Sequence, residues 1–152
     1  MPHAFEQALL ALQSFHVAFL LLHDWIPLGR LNDVAAVRRE NSLTSLIVNT
    51  LIVGGLFGFG LAASLHYYGR AYPGWLHQWL FVSYALLFLG ELRAWWIPYL
   101  IHPEPQRAAR YQSLFARTHS FLPARNGIVP NTLHIILHAA TLATLLLLSR
   151  VS

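Results

Sequence analysis

Four apolar runs organise the chain, near residues 8–28, 44–66, 74–97 and 131–149. Each reaches or approaches the ~20 residues that a helix needs to cross a bilayer core. Between them lie breaker-rich linkers such as "PLGRLND", "YYGRAYPGW" and "HPEPQ", which end helices and turn the chain. The expected fold is an all-α integral membrane protein. One domain spanning residues 1–152 would hold four transmembrane helices in a bundle. The first run reads as a retained span: no Lys or Arg precedes it, and it contains His16 and His23.

The third linker carries a different pattern. Over residues 105–121, Tyr111, Leu114, Phe115 and Phe121 share a helical face, and Arg107, Arg110 and Arg117 decorate the rest. Pro105 suits a first helical turn. This predicts an amphipathic helix lying along the interface. Asn32 and Asp33 can start a further helix over residues 34–40, and Asn131 can cap the fourth span. The Asn-Gly pair at 126–127 marks a turn.

Composition agrees with the pattern. The chain is 11% charged and 56% hydrophobic, with mean hydropathy +0.48, whereas soluble domains carry about 25% charged residues. Too little polar surface remains to cover a soluble bundle. Without cysteine there are no disulfides and no thiolate metal sites. All ten basic residues are arginine, and their spread across linkers argues against a nucleic-acid footprint.

Arginine placement also sets an orientation. The first and third linkers hold Arg30, Arg38, Arg39, Arg107, Arg110, Arg117 and Arg125; the second linker and the C-terminal tail hold only Arg70 and Arg150. Loops rich in Lys and Arg stay cytoplasmic. Both termini are therefore expected outside, in a bacterial inner membrane. The tripeptide "WIP" recurs at 25–27 and 96–98. It fits either a duplicated hairpin or two independent interfacial exits. Gly54, Gly58 and Ala62 form a small-residue stripe that permits close helix approach, within the bundle or in a homo-oligomer.

With this topology, polar groups from all four spans fall at one level, in the cytoplasmic half. They are His23 and Asp24, Asn49 and Thr50, Glu91 and Arg93, and Asn131, His134 and His138. Their stripes should face the bundle interior, because ionised groups are costly against lipid. Glu91 and Arg93 differ by about 200° around one helix and do not pair directly. Arg93 needs another partner: Asp24, a phosphate, or the headgroups.

This constellation suits an anionic, lipid-like substrate. Glu91, His134 and His138 are candidates for acid–base chemistry, and Arg93, Asn49, Asp24 and Arg125 for substrate contacts. His134 and His138, four apart, could share a metal with His23; sulfur-free ligands suit Zn or non-haem Fe. Further alternatives are haem b held by paired histidines, an accessory membrane subunit, and a homo-oligomeric proton-coupled transporter or channel. A conduction path should be polar in both halves, whereas these groups gather in one.

Overall fold

The computed structural model describes residues 3–150. Every regular element among them is helical: α1 (His3–Leu22), α2 (Val34–Glu40), α3 (Leu43–His66), α4 (Gly74–Glu91), α5 (Ile97–Leu100), α6 (Pro105–Phe115) and α7 (Thr132–Leu148). A π-turn, Leu92–Trp96, joins α4 to α5 without a break, so one helical rod runs from Gly74 to Leu100. α1 packs on α3 and α7, and α4 packs on α7 and α3. The four long helices thus close a ring. α2 and α6 pack on each other at the end that carries the Arg-rich linkers.

Three helices are long and apolar enough to cross a membrane: His3–Leu22, Leu43–His66 and Gly74–Leu100. α7 is equally apolar but has 17 residues. The ring is inverted relative to a soluble bundle. Leu51, Ile52, Leu86 and Leu146 face outward, while Glu6, Gln13, His16, Glu91 and Thr141 are buried. An outer surface of this kind belongs in lipid.

Local chemistry explains most element ends. Asp33 accepts from the Ala36 N–H and caps α2; Ser42 caps α3 through Ser45; Asn131 accepts from the Leu133 and His134 N–H groups and caps α7. Arg125 and Ile128 pair across Asn126-Gly127, whose φ angles of 53° and 76° suit a tight two-residue turn. Two boundaries depart from the sequence expectation. α1 spans His3–Leu22 instead of 8–28. The Asn32 amide donates to the His23 and Ile26 carbonyls and accepts from the Leu28 N–H, folding 23–28 into a turn. α6 stops at Phe115 instead of 121. Beyond it, the His119 N–H donates to the Arg30 carbonyl and its own carbonyl accepts from Thr132, tying the linker to two other segments.

The two "WIP" copies differ in structure. The first lies in the turn after α1, where Trp25 donates to the Thr50 hydroxyl. The second lies inside the continuing helix, with Pro98 buried in α5. Pro98 has no N–H to offer the preceding turn. The Ala94 carbonyl accepts instead from the Tyr111 hydroxyl at 3.0 Å and from Arg107 at 3.4 Å. The π-turn and Pro98 thereby create the docking point for α6.

Candidate functional site

The Arg-rich end holds a cavity of about 320 Å³. His23 and Asp24 reach it from the end of α1, Asn32 and Asp33 from the following turn, Asn49 from α3, Arg110 from α6 and His134 from α7. His23, Asp24, Asn32, Asp33 and His134 sit close to helix ends, whereas Asn49 lies in the second turn of α3 and Arg110 in the middle of α6. A second cavity, about 560 Å³, lies on the other side of Leu114 and Phe115, bounded by Trp95, Glu104 and Arg107. Arg110 and His134 line both.

His134 stands at the centre of an aromatic enclosure. Ring centroids lie 4.9 Å away for Trp95, 5.2 Å for Phe115, 5.7 Å for Phe19 and 5.9 Å for His23. Its Nδ1 is 3.3 Å from Asn131 Oδ1. Both nitrogens of His23 face oxygen acceptors: the Phe19 carbonyl at 2.8 Å and the Asp24 carboxylate at 3.1 Å. Arg110 touches Asn41 Oδ1 at 3.3 Å and makes no ion pair among the described residues. An apolar groove of about 210 Å³ adjoins this cavity between α1 and α7. Phe15, Phe19, Leu22 and Leu133 line it, and His23 belongs to both spaces.

The remaining site residues expected from sequence lie elsewhere. Glu91 lines neither cavity. It is buried between α4 and α7, where Oε1 accepts from the Thr141 hydroxyl at 2.8 Å. That hydroxyl also lies 3.0 Å from His16 Nε2. His138 is buried one turn away on α7, with its Nδ1 accepting from the Trp96 indole at 3.1 Å. Arg125 sits exposed on the turn before Ile128. The polar layer expected as one pocket is therefore two sites: an open cavity at the helix ends and a dry triad deeper in the ring.

Arg93 finds a partner that was not among those expected. It binds Glu104 at 2.5 Å, and Arg107 holds the other oxygen of the same carboxylate at 2.9 Å. The Arg107 hydrogen bond, with Arg93 adding to it, holds the Glu104 carboxyl below the usual range, and Glu104 in turn raises Arg107. Burial pushes the Tyr111 phenol up. Two arginines thus share one glutamate and keep a net single positive charge between them, while Arg110, with no carboxylate partner among the described residues, lines both cavities.

Three further observations bear on the sequence expectations. Among the described residues no three His, Asp or Glu side chains converge as a metal site would require. His23 and His134 stand edge to face instead of pointing at a common centre. The glycine stripe divides: a Cβ on Gly54 would collide with Leu21 of α1, whereas Gly58 has open space beside it and Ala62 is exposed. Buried polar groups also extend into the opposite half. Glu6 accepts from the Gly69 N–H at 2.9 Å, and Ser64 donates to Gln13 at 3.1 Å. Their signal in the sequence is the seven-residue spacing of Glu6 and Gln13, continued to His16.

No family model matches this chain, and no curated protein or solved structure matches it.

Proposed function

We propose that this is a four-span membrane protein that binds an anionic amphipathic molecule at its cytoplasmic end. In this reading α7 is the fourth span, α6 lies amphipathically along the cytoplasmic interface, and both termini are outside. Seven arginines at the α2–α6 end against two at the other support that orientation. The membrane is a bacterial inner membrane.

The observation that carries the reading is the shared wall at His23. A polar cavity with an unpaired arginine opens beside an apolar groove, and His23 lines both. A head group held by Arg110, Asn49 and His134 can leave its chain along Phe15, Phe19 and Leu133. Leu22, Ile26 and Leu28 at the groove's edge are exposed to the bilayer side, so a lipid-like molecule can enter laterally. Asp24 and Asp33 in the same cavity oppose excess negative charge. They favour a singly charged head or one that also offers hydrogen-bond donors.

The test uses tetradecyl phosphate carrying a bromine on its tail, with tetradecyl maltoside as the neutral counterpart. A bromine on the first carbons of the tail, next to a head group held at His134, should quench the fluorescence of Trp95, whose ring lies 4.9 Å from that of His134; a Trp95→Phe variant isolates that signal. The phosphate should bind saturably and the maltoside weakly. Arg110→Gln should weaken phosphate binding about 10- to 100-fold, the loss of a charged hydrogen bond of about 1.5–3 kcal/mol. Equal affinity for both amphipaths, or for wild type and Arg110→Gln, contradicts the reading.

A further inference from the structure

We propose that Glu91, Thr141 and His16 form a proton relay in the middle of the ring, and that the protein conducts protons between its two ends. The proposal is independent of amphipath binding and needs only that the bundle cross a bilayer.

It rests on hydrogen-bond bookkeeping. His16 Nδ1 lies 2.7 Å from the Leu12 carbonyl, which can only accept, so Nδ1 carries a hydrogen. The partner of interest is then Nε2, 3.0 Å from Thr141 Oγ1. The same hydroxyl lies 2.8 Å from Glu91 Oε1 and 3.0 Å from the Leu137 carbonyl. Glu91 Oε2 is buried with no hydrogen-bond partner among the described residues. A hydrogen there would be an orphaned donor, so a proton on this carboxyl belongs on Oε1, facing Thr141.

A hydroxyl has one hydrogen and two lone pairs. In one complete arrangement Glu91 Oε1–H donates to Thr141, and Thr141 donates to Nε2. In the other, Nε2–H donates to Thr141, and Thr141 donates to ionised Glu91. Both satisfy the hydroxyl's contacts with His16 and Glu91, neither uses the Leu137 carbonyl, and both leave the three groups with zero net charge. One concerted hop interconverts them. The Oε1–H bond breaks, that hydrogen joins Oγ1, and the hydroxyl's own hydrogen passes to Nε2. No oxidant or reductant is involved.

A third arrangement accepts one more proton. Glu91 and Nε2 both donate to the hydroxyl, which turns its hydrogen to the Leu137 carbonyl. The fully deprotonated arrangement fails, because one hydrogen cannot serve two acceptors. The triad therefore retains one proton and has a built position for a second. That is what a relay needs.

The triad also sits in a column. On α1, Gln13 lies one turn to the outer side, bound to Ser64 of α3, and Glu6 lies two turns further. Toward the Arg-rich end come His138 on α7, then His134 and His23 at the cavity. From Glu6 to His23 the rise is about 25 Å at 1.5 Å per residue, most of a hydrocarbon core. Tyr84 of α4 faces the triad, its ring 4.9 Å from that of His16, and Thr144 lies buried one turn along α7, donating to the Ala140 carbonyl. From α3, Phe57 packs on Tyr84 and Ser64 donates to Gln13, and the helix's one titratable residue, His66, lies at its far end.

Full-length protein in liposomes loaded with a pH-sensitive dye tests this. A potassium diffusion potential, negative inside, drives proton entry. Wild-type vesicles should acidify faster than protein-free ones. Glu91→Gln keeps a hydrogen-bonding side chain but loses the exchangeable carboxyl proton, and Thr141→Val removes the bridge. Each should slow acidification about 100-fold, the lower range of what a positioned proton-transfer group contributes. Thr141→Ser should restore the rate, which separates relay from packing. Circular dichroism before reconstitution identifies a misfolded variant; if Thr141→Val misfolds, Glu91→Gln against Thr141→Ser carries the comparison. Wild-type acidification no faster than empty vesicles overturns the proposal, as does Glu91→Gln matching wild type.

Discussion

The Arg-rich end and the middle of the ring use the same residue types in opposite ways. At the end, His23, Asp24, Asn49 and His134 surround open space, and loops complete the walls. In the middle, His16, Thr141 and Glu91 touch one another and leave almost no exposed surface. The first arrangement leaves hydrogen-bonding capacity free for a ligand. The second consumes nearly all of it internally. What separates them is depth. Helix ends splay and admit loops, whereas mid-helix side chains meet only each other.

Stability should separate the two regions most sharply. Thr141→Val strands two buried polar groups at about 1–3 kcal/mol each, for a total of about 3 kcal/mol. Asn49→Ala, on the cavity's exposed rim, should stay within about 0.5 kcal/mol. Denaturant titration in detergent measures both, and equal costs would erase the distinction. Asn131→Ala probes the junction. It removes the α7 cap and the amide's 2.9 Å bond to the Leu31 carbonyl, and should cost about 1–2 kcal/mol.

The remaining effects belong to the Arg-rich end alone. Asp24→Asn removes a carboxylate from the cavity and should tighten tetradecyl phosphate binding about two- to fivefold, as a like charge at a partly exposed site implies. No change would show that the phosphate sits elsewhere. The smallest effect concerns Glu104. Its folded carboxyl is held below the usual range by Arg107 and Arg93. The stabilisation is therefore complete above the ordinary carboxylate pKa and lost as pH falls through the lower folded value. The unfolding midpoint should drop between pH 5 and pH 3, and Glu104→Gln should flatten that part of the curve.

Periodicity made part of this legible. His134 and Asn131 share a turn, His23 ends a run and Asn49 begins one, so an alternating topology already sets them at one depth. The expectation that the polar stripes face the interior holds for Glu91, which is buried. Angular spacing could not tell an end from a middle, so Glu91 and His138 were grouped with the cavity. Arg93 was unreadable for another reason. Glu104 lies eleven residues on, and only the continuation of the helix through the π-turn to Leu100 brings the chain back to it. In sequence, Arg110 reads only as a polar position on the α6 helix; its place in two cavities depends on the docking of Tyr111 on the Ala94 carbonyl. Glu6 and Ser64 were missed because each lies near the end of its helix, where a polar residue is ordinary.

The most direct measurement is a crystal structure grown from a lipidic mesophase with the brominated alkyl phosphate bound. Phosphate density beside Arg110 and His134, with the bromine's anomalous signal between Phe15 and Leu133, is the result expected. Bromine in the apolar groove between α3 and α4, lined by Phe57, Trp75 and Trp79, with no phosphate at Arg110, would contradict it.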